Sequence, residues 1–372
     1  MKLLDIARGA YVRSPASVKR AIAPVVALAP TSLKYGKSYR NMRERIGRSA
    51  VDPVFAEDEQ LSALRQLLEQ AWGGSAFHRA NMEAAFGLSP DFAALDYAHL
   101  AKLPILSKAA LTAAGDDALA APKAQMDYST TSGSNGEQPF AFYRDKDRSV
   151  REIAFVNHVW SRTGLNEGDA RAVLRGFRLD ETGTSEAWDP GLRELRLSVF
   201  PLGESEVARY LDLIDQRGIR FINSYPSALE IFCRIMLKIV RRPRVPIEGV
   251  MPISEPLLPH QRTIISAALG EQVIFAPFYG LSEKSLFAGE VAGAPGVYEF
   301  EPLYGLAELV NDQDQPVTEP GREGRLIGTG FISTGMPFIR YDSQDRAVLV
   351  APATRENGWR MRVKDIAPRR KP

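Results

Sequence analysis

The chain has 372 residues, 45% of them hydrophobic and 25% charged, with a formal net charge of +2. A chain of this length and composition can bury a large core in roughly two or three domains or subdomains, which excludes disordered and fibrous classes. Its charge is unevenly spread: Lys2, Arg8, Arg13, Lys19, Arg20, Lys34, Lys37, Arg40, Arg43, Arg45 and Arg48 face only Asp5 and Glu44 in the first 48 residues, a local balance of +9 that leaves −7 for the remainder.

This basic arm suits peripheral contact with an acidic membrane surface or an acidic partner, and equally a solvated helical face. Tyr11, Val25, Val26 and Leu28 make a homodimer contact an equal reading. No aromatic residues interleave with a groove-fitting motif, so DNA is not expected as a partner. The apolar stretch from Ala21 to Pro30 is far shorter than the ~20 residues a membrane span requires, and Pro24 and Pro30 interrupt it as a signal peptide. A cytoplasmic protein is expected. Cys233, the sole cysteine, lies in an apolar run and reads as a core residue, while His78, His99, His158 and His260 have no metal-ligand spacing.

In chain order, Leu61, Leu64, Leu67, Leu68 and Ala71 predict an amphipathic helix from Asp58 to Trp72 that ends at Gly73-Gly74. Short helices follow to about Ala114. A run of small polar residues and glycine then leads into Pro139-Phe140-Ala141-Phe142-Tyr143, whose alternation predicts a strand. Next come a helix from Lys146 to Arg162, a strand at Arg171 to Leu174 and a helix from Ser205 to Gln216. A strand at Arg220 to Asn223, a helix from Ser227 to Arg241 and a strand at Gln272 to Phe275 complete an alternation that implies an α/β architecture. After Val297, short apolar segments separated by Gly, Pro and Asp predict a β-rich subdomain. The expected organisation is a basic helical segment over 1–57, an α/β core over 58–296, a β-rich subdomain over 297–365 and a hinge over 366–372.

Three constellations can carry chemistry. Ser129-Thr130-Thr131-Ser132-Gly133-Ser134-Asn135-Gly136-Glu137 packs hydroxyls and glycines densely enough to wrap a polyphosphate, because glycines let backbone N–H groups approach oxygen atoms. The same composition serves turns and linkers, and no Gly-Lys-Ser/Thr makes it a Walker loop. Tyr279-Gly280-Leu281-Ser282-Glu283 follows an apolar strand and offers a ring, a hydroxyl and a carboxylate that suits magnesium; a strand-to-loop turn with a solvated Glu reads as well. Arg340-Tyr341-Asp342-Ser343-Gln344-Asp345 follows Met336-Pro337-Phe338-Ile339, and an Asp at a strand end can accept both hydroxyls of a ribose.

Taken in order, these motifs resemble those of adenylate-forming enzymes, specifically the phenylacetate-coenzyme A ligase family and its capsular-polysaccharide-biosynthesis branch. The likeness extends to Leu33-Lys34-Tyr35-Gly36-Lys37-Ser38-Tyr39-Arg40, Leu103-Pro104-Ile105-Leu106-Ser107-Lys108, Gly168-Asp169, Leu174-Arg175-Gly176, Asn223-Ser224-Tyr225-Pro226-Ser227-Ala228-Leu229 and Ser254-Glu255-Pro256-Leu257. The resemblance implies an α/β fold, the large N-terminal body of such an enzyme, with mixed sheets flanked by helices plus a smaller β subdomain.

It also implies roles. Thr131, Ser132, Gly133, Ser134 and Gly136 would line the loop around the β and γ phosphates of ATP. Ser254 and Glu255 would border the adenine, with Tyr279 and Gly280 beside the base. Ser282 would contact the α-phosphate, Glu283 would hold Mg2+, and Asp345 would bind the ribose. Tyr225 would border the pocket for a small-molecule carboxylic acid. Coenzyme A or an amine would accept the activated acyl group.

The sequence departs from the family at Asn135, where Thr is usual, and at Glu137-Gln138, which adds a residue before Pro139. It also ends where the family's arginine-containing hinge leads into a small C-terminal domain. Arg369 is the expected hinge arginine, with Arg362 second, and truncation before that domain is the favoured explanation, which makes slow adenylation the expectation. The rival reading is a degenerate, non-catalytic nucleotide-binding scaffold in glycan synthesis.

Overall fold

The computed structural model of the protein describes residues 31–130, 140–146, 148–176 and 185–368, together with Val18 and Ile22. The chain divides into two compact units of discontinuous sequence: residues 1–40 with 156–278 form the first, and residues 41–155 with 279–372 the second.

Helix α1 (Thr31–Ser49) bends at Gly36, whose φ of 78° suits a residue without a side chain. Helix α2 (Pro53–Gly74) begins where Asp52 accepts the Phe55 N–H at 3.0 Å and Pro53 supplies a pre-set φ. It therefore starts before the expected Asp58, because the cap and proline lie outside the apolar repeat. Leu64, Leu67, Leu68 and Ala71 are buried along it, each leucine contributing about 1.5–3 kcal/mol of apolar burial. The helix closes at Gly74, where a Cβ would lie 2.4 Å from the Ala120 carbonyl oxygen. Ser75 then donates its N–H to Ala71 and accepts from the His78 N–H at 3.2 Å, ending α2 and opening α3 (Ala76–Phe86).

Helices α4 (Tyr97–Leu100) and α5 (Lys108–Ala114) follow, the latter capped by Ser107. Strands β1 (Met126–Thr130) and β2 (Ala141–Asp145) pair antiparallel, with Thr130 opposite Ala141. The strand expected over 139–143 is thus displaced toward Asp145, and Ser129 and Thr130 of the polar run complete β1.

Helix α6 (Arg148–Trp160) leads to β3 (Arg171–Arg175), β4 (Glu186–Asp189), β5 (Glu194–Ser198), α7 (Glu204–Gln216), β6 (Phe221–Ser224), α8 (Pro226–Lys238), β7 (Gly249–Pro252), α9 (Pro259–Leu269) and β8 (Ile274–Phe275). The expected helices and strands of this region fall within a few residues of these bounds, while β4, β5, β7 and α9 were not anticipated. The strands form one sheet in the order β4-β5-β3-β6-β7-β8, parallel except for β4 at the edge. Leu174, Leu195, Ile222 and Val250 from its strands pack with Tyr210, Phe232 and Ile265 from its helices. Cys233 belongs to this core, where burial pushes its thiol pKa up. Gly249 is required by a close approach, since a Cβ there would lie 2.4 Å from the Thr163 Cβ.

The second unit resumes at Tyr279, within β9 (Phe278–Gly280), and continues with β10 (Phe287–Glu290), β11 (Val297–Phe300), β12 (Gly305–Val310), β13 (Glu323–Gly330), β14 (Tyr341–Ala351) and β15 (Arg362–Pro368). Their order is β12-β13-β14-β15-β11-β10-β9, and the pairings from β12 to β10 are antiparallel. Leu106 bridges to Tyr341, exchanging backbone bonds with Arg340 and Asp342 at 2.9 Å each. Among the described residues no helix is long and apolar enough to cross a membrane.

Candidate functional site

Two of the three motifs meet in the second unit. The chain leaves β9 through Gly280, turns at Leu281-Ser282 and buries Glu283, which is 5% exposed. The Glu283 Oε1 atom accepts the Tyr341 hydroxyl at 2.8 Å. Tyr279 in turn donates its hydroxyl to Asp345 Oδ2 at 2.7 Å. Each motif thus supplies one carboxylate and one phenol, and the phenol of each binds the carboxylate of the other.

Burial sets the protonation of this group. It raises the Asp345 carboxyl above the usual range; the Tyr279 hydroxyl and Lys108 oppose that rise, and Glu283 and Asp342 add to it. Burial and the neighbouring carboxylates also raise Tyr279 and Tyr341, so both phenols remain hydrogen-bond donors at neutral pH. Lys108 opens α5 directly after the strand-like Leu106, which accounts for the Leu103–Lys108 segment: it is pinned along the start of β14.

Arg340 does the pinning. Its guanidinium grips Glu308 through Nε at 3.1 Å and Nη2 at 2.9 Å, and Nη1 donates to the carbonyls of Ala101 and Leu103. Asp342 instead pairs with Arg325. These two motif residues are occupied with structure, leaving Tyr341 and Asp345 to face Glu283 and Tyr279. Lys284 (φ 63°) and Gln344 (φ 68°) hold left-handed backbone beside Glu283 and Asp345, and Ser254 (φ 64°) does so at the end of the first unit's β7. Such conformations cost about 1 kcal/mol or more each and cluster at functional sites.

Ser282 is exposed, and its carbonyl accepts Arg144 Nη1 at 3.3 Å. Arg144 lies on β2, its Nε buried without a partner and its pKa lowered first by burial. Sequence reasoning missed it, since no spacing marks an arginine three residues beyond a strand's start. Tyr341 was visible within its motif but had no role, because only the tertiary fold supplies Glu283 as its acceptor. Lys284 pairs with Glu152 at 2.7 Å, another partnership absent from the sequence.

The remaining candidates divide as follows. Thr131, Ser132, Gly133, Ser134, Gly136 and Arg369 lie outside the described residues. Arg362, the second choice for a hinge arginine, pairs with Glu299 across the β11–β15 register at 2.7 Å. Tyr225, Ser254 and Glu255 belong to the first unit, at or beyond the carboxyl ends of β6 and β7. Tyr225 is the N-cap of α8, and Glu255 accepts the Ser227 N–H at 3.1 Å and its hydroxyl at 3.0 Å, answering the start of that helix.

Among the described residues no cluster of three or more His, Cys, Asp or Glu side chains could hold a metal on its own. Glu283 still suits magnesium, which is commonly held by one or two carboxylates together with a substrate's phosphate oxygens.

No protein-family model matches the chain, and no curated protein matches it by sequence. Solved structures do. A 2-hydroxyisobutyryl-CoA ligase in the postadenylation state with R3-HIB-AMP superposes with a TM-score of 0.63 at 18% identity, over 87% of this chain and 70% of the ligase. The same ligase in an open conformation with 2-HIB-AMP and CoA gives 0.61 at 19% identity, over 87% and 77%. The acyl acid amido synthetase AtGH3.15 in complex with 2,4-DB gives 0.54 at 13% identity, over 90% and 71%. The chain has the α/β fold, with mixed sheets flanked by helices, of the N-terminal body of adenylate-forming enzymes.

Proposed function

We propose that the chain activates a carboxylic acid with ATP, forming an acyl-adenylate and releasing pyrophosphate. What carries this reading is the reciprocal pairing of Glu283 with Tyr341 and of Asp345 with Tyr279, built from two motifs more than fifty residues apart in a fold also used by an acyl-CoA ligase and an acyl acid amido synthetase.

In this reading a carboxylate oxygen of the acid attacks the α-phosphorus, the bond from that phosphorus to the bridging oxygen breaks, and pyrophosphate leaves with the electron pair. Asp345 orients the ribose by accepting its hydroxyls. The Tyr279 ring lies beside the adenine, with its hydroxyl holding the Asp345 carboxylate. Ser282 and Arg144 would offer a hydroxyl and a guanidinium to the non-bridging oxygens of the α-phosphate, where negative charge builds up in the transition state, which would favour the transition state over the ground state. Glu283 would hold Mg2+, which when bound supplies positive charge to the triphosphate. The Ser/Thr/Gly run carries the β and γ phosphates. Ser254 and Glu255 border the adenine and Tyr225 borders the acid.

A thiol such as coenzyme A, or an amine, then attacks the acyl carbon, and AMP departs. The order of motifs supports placing the protein in the phenylacetate-coenzyme A ligase branch linked to capsular polysaccharide. ATP–pyrophosphate exchange across aryl, acyl and hydroxy acids tests the reading, with hydroxylamine trapping the adenylate. Exchange that depends on one acid class and falls on the order of a hundredfold or more in Glu283→Ala supports it. Tight ATP binding with no exchange for any acid would transfer the weight to the non-catalytic scaffold.

A further inference from the structure

We infer that Tyr341 selects the metal ion that Glu283 holds: it ties up one carboxylate oxygen and leaves the other as a single-oxygen ligand, which takes Mg2+ and disfavours Ca2+. The inference rests on the adenylation reading and deepens it. Every group it uses lies in the second unit.

Glu283 is a buried carboxylate with one oxygen unspent. The residue is 5% exposed, and its Oε1 accepts the Tyr341 hydroxyl at 2.8 Å. Its Oε2 has no bond among the described residues, yet it is not sealed from solvent. The neighbouring cations are committed: Lys284 pairs with Glu152 at 2.7 Å, and Arg144 donates to the Ser282 carbonyl at 3.3 Å. A buried carboxylate without a cation is costly, so Oε2 is the atom that calls for one.

Tyr341 cannot easily yield the oxygen it holds. Its ring is fully buried, meets Phe338 edge-on at 4.9 Å between centroids and stacks on Phe140 at 6.3 Å. Its backbone pairs with Gly328 in β13 and bridges to Leu106, which bonds Arg340 and Asp342 at 2.9 Å each. The carboxylate is fixed from the chain side as well. Lys284, in left-handed backbone, closes a turn onto the Leu281 carbonyl at 3.1 Å, and the Glu152 that anchors its Nζ also accepts the Tyr304 hydroxyl at 3.4 Å. Presenting both Glu283 oxygens to one ion would break the bond to the phenol.

That constraint separates the two common divalent ions. Ca2+ takes roughly six to eight oxygens in flexible geometry and gains from bidentate carboxylates. Mg2+ keeps near-octahedral geometry and is satisfied by one or two carboxylates together with phosphate oxygens and water. A rigid carboxylate with one oxygen to give meets the second demand and not the first.

The test is calorimetric titration of the whole chain with α,β-methylene-ATP, whose α–β bridge cannot be cleaved, in excess Mg2+, in excess Ca2+ or in EDTA. The wild type is expected to bind the analogue roughly tenfold more tightly with Mg2+ than with Ca2+, and most weakly in EDTA. Tyr341→Phe should bring the Mg2+ and Ca2+ values within about threefold, chiefly by tightening the Ca2+ complex. Glu283→Gln keeps an oxygen to accept the phenol but loses the charge, and should bind the analogue alike in all three conditions.

A wild type without Mg2+ preference, or a preference unchanged in Tyr341→Phe, overturns the inference while adenylation stands. Metal dependence that survives in Glu283→Gln also overturns it, since the ion then sits elsewhere. Should Tyr341→Phe fail to fold, Phe338→Leu loosens the clamp and keeps the hydroxyl; a reduced preference supports the inference and an unchanged one overturns it. If no acid supports ATP–pyrophosphate exchange with either ion, the adenylation reading falls, and the ratio of the two binding constants still decides the role of Tyr341.

Discussion

The two units solve the problem of polar groups in opposite ways. In the first, parallel strands are covered by helices, the interior is almost wholly apolar, and the polar side chains Arg175, Asn223 and Ser224 gather at the strands' carboxyl ends. In the second, buried charge runs through the antiparallel sheet. Arg340 grips Glu308, and Arg360 grips Glu301 at 3.0 and 3.1 Å while also donating to Ser49 at 2.9 Å. Strands buried on both faces leave polar groups only their ends, whereas an antiparallel sheet with alternating faces can carry them along its length. The comparison teaches where each unit's chemistry can lie: at one edge in the first, within the strands and turns in the second.

The difference predicts different ways of breaking the units. Phe232→Ala should open a cavity in the first unit and cost about 3–5 kcal/mol. Arg340→Ala should cost a similar ~3–5 kcal/mol in the second, because Glu308 remains buried without its partner. Burial already raises the Glu308 carboxyl, with Arg340 opposing that rise. Replacing both, as Arg340→Met with Glu308→Leu, should recover most of the loss in urea unfolding. If the double variant is as unstable as Arg340→Ala, the attraction within the pair supports the unit, and the orphaned charge is not the cause.

A pH effect of somewhat smaller size separates the units further. His78, 2% exposed, has its pKa lowered to about 4 by burial, while the Pro337 carbonyl at 3.0 Å pulls the other way. The unfolded imidazole binds a proton below about 6.5 and the folded one does so only near 4, so unfolding takes up protons between those values. Stability should therefore be full above pH 6.5 and decline as pH falls toward 4, by up to about 3 kcal/mol. His78→Gln should flatten this part of the stability curve in guanidinium melts measured across that window. An unchanged slope would show that carboxylates, and not His78, set the acid sensitivity.

The smallest effect sharpens the site itself. Tyr279→Phe keeps the ring and removes the hydrogen bond to Asp345, and should cost about 1 kcal/mol in stability. Exchange activity should persist with the KM for ATP changed by less than about tenfold. Loss of ATP binding in this variant would show that the hydroxyl, and not the ring, is what the nucleotide needs.

Local chemistry made several elements legible. The apolar spacing in α2 marks its buried stripe, and the alternation of strands and helices between Arg171 and Phe275 announces an α/β sheet. The helix start was missed because Asp52 and Pro53 act from outside the repeat. Strands β4, β5 and β7 were missed because they are short and each carries charged or glycine residues that weaken an apolar signal. At the site, Tyr279, Ser282, Glu283 and Asp345 could be singled out by order and residue type. Arg144 could not, because it stands in no motif, and Arg175, although part of the Leu174-Arg175-Gly176 segment, looks the same in sequence whether it has a carboxylate partner or lacks one.

The sequence by itself determined the composition of each motif and the order in which the motifs occur, since hydroxyls, glycines, rings and carboxylates are properties of single residues. It also determined which helices and strands were strong enough to declare themselves through local periodicity. Only the tertiary structure decided that Tyr341 binds Glu283 and Tyr279 binds Asp345. It alone revealed that Glu194 is already taken by Arg171 and Arg196 while Arg175 has no ion-pair partner among the described residues. The reason is physical: pairing and desolvation depend on distances across strands remote in the chain, and those distances exist only after folding.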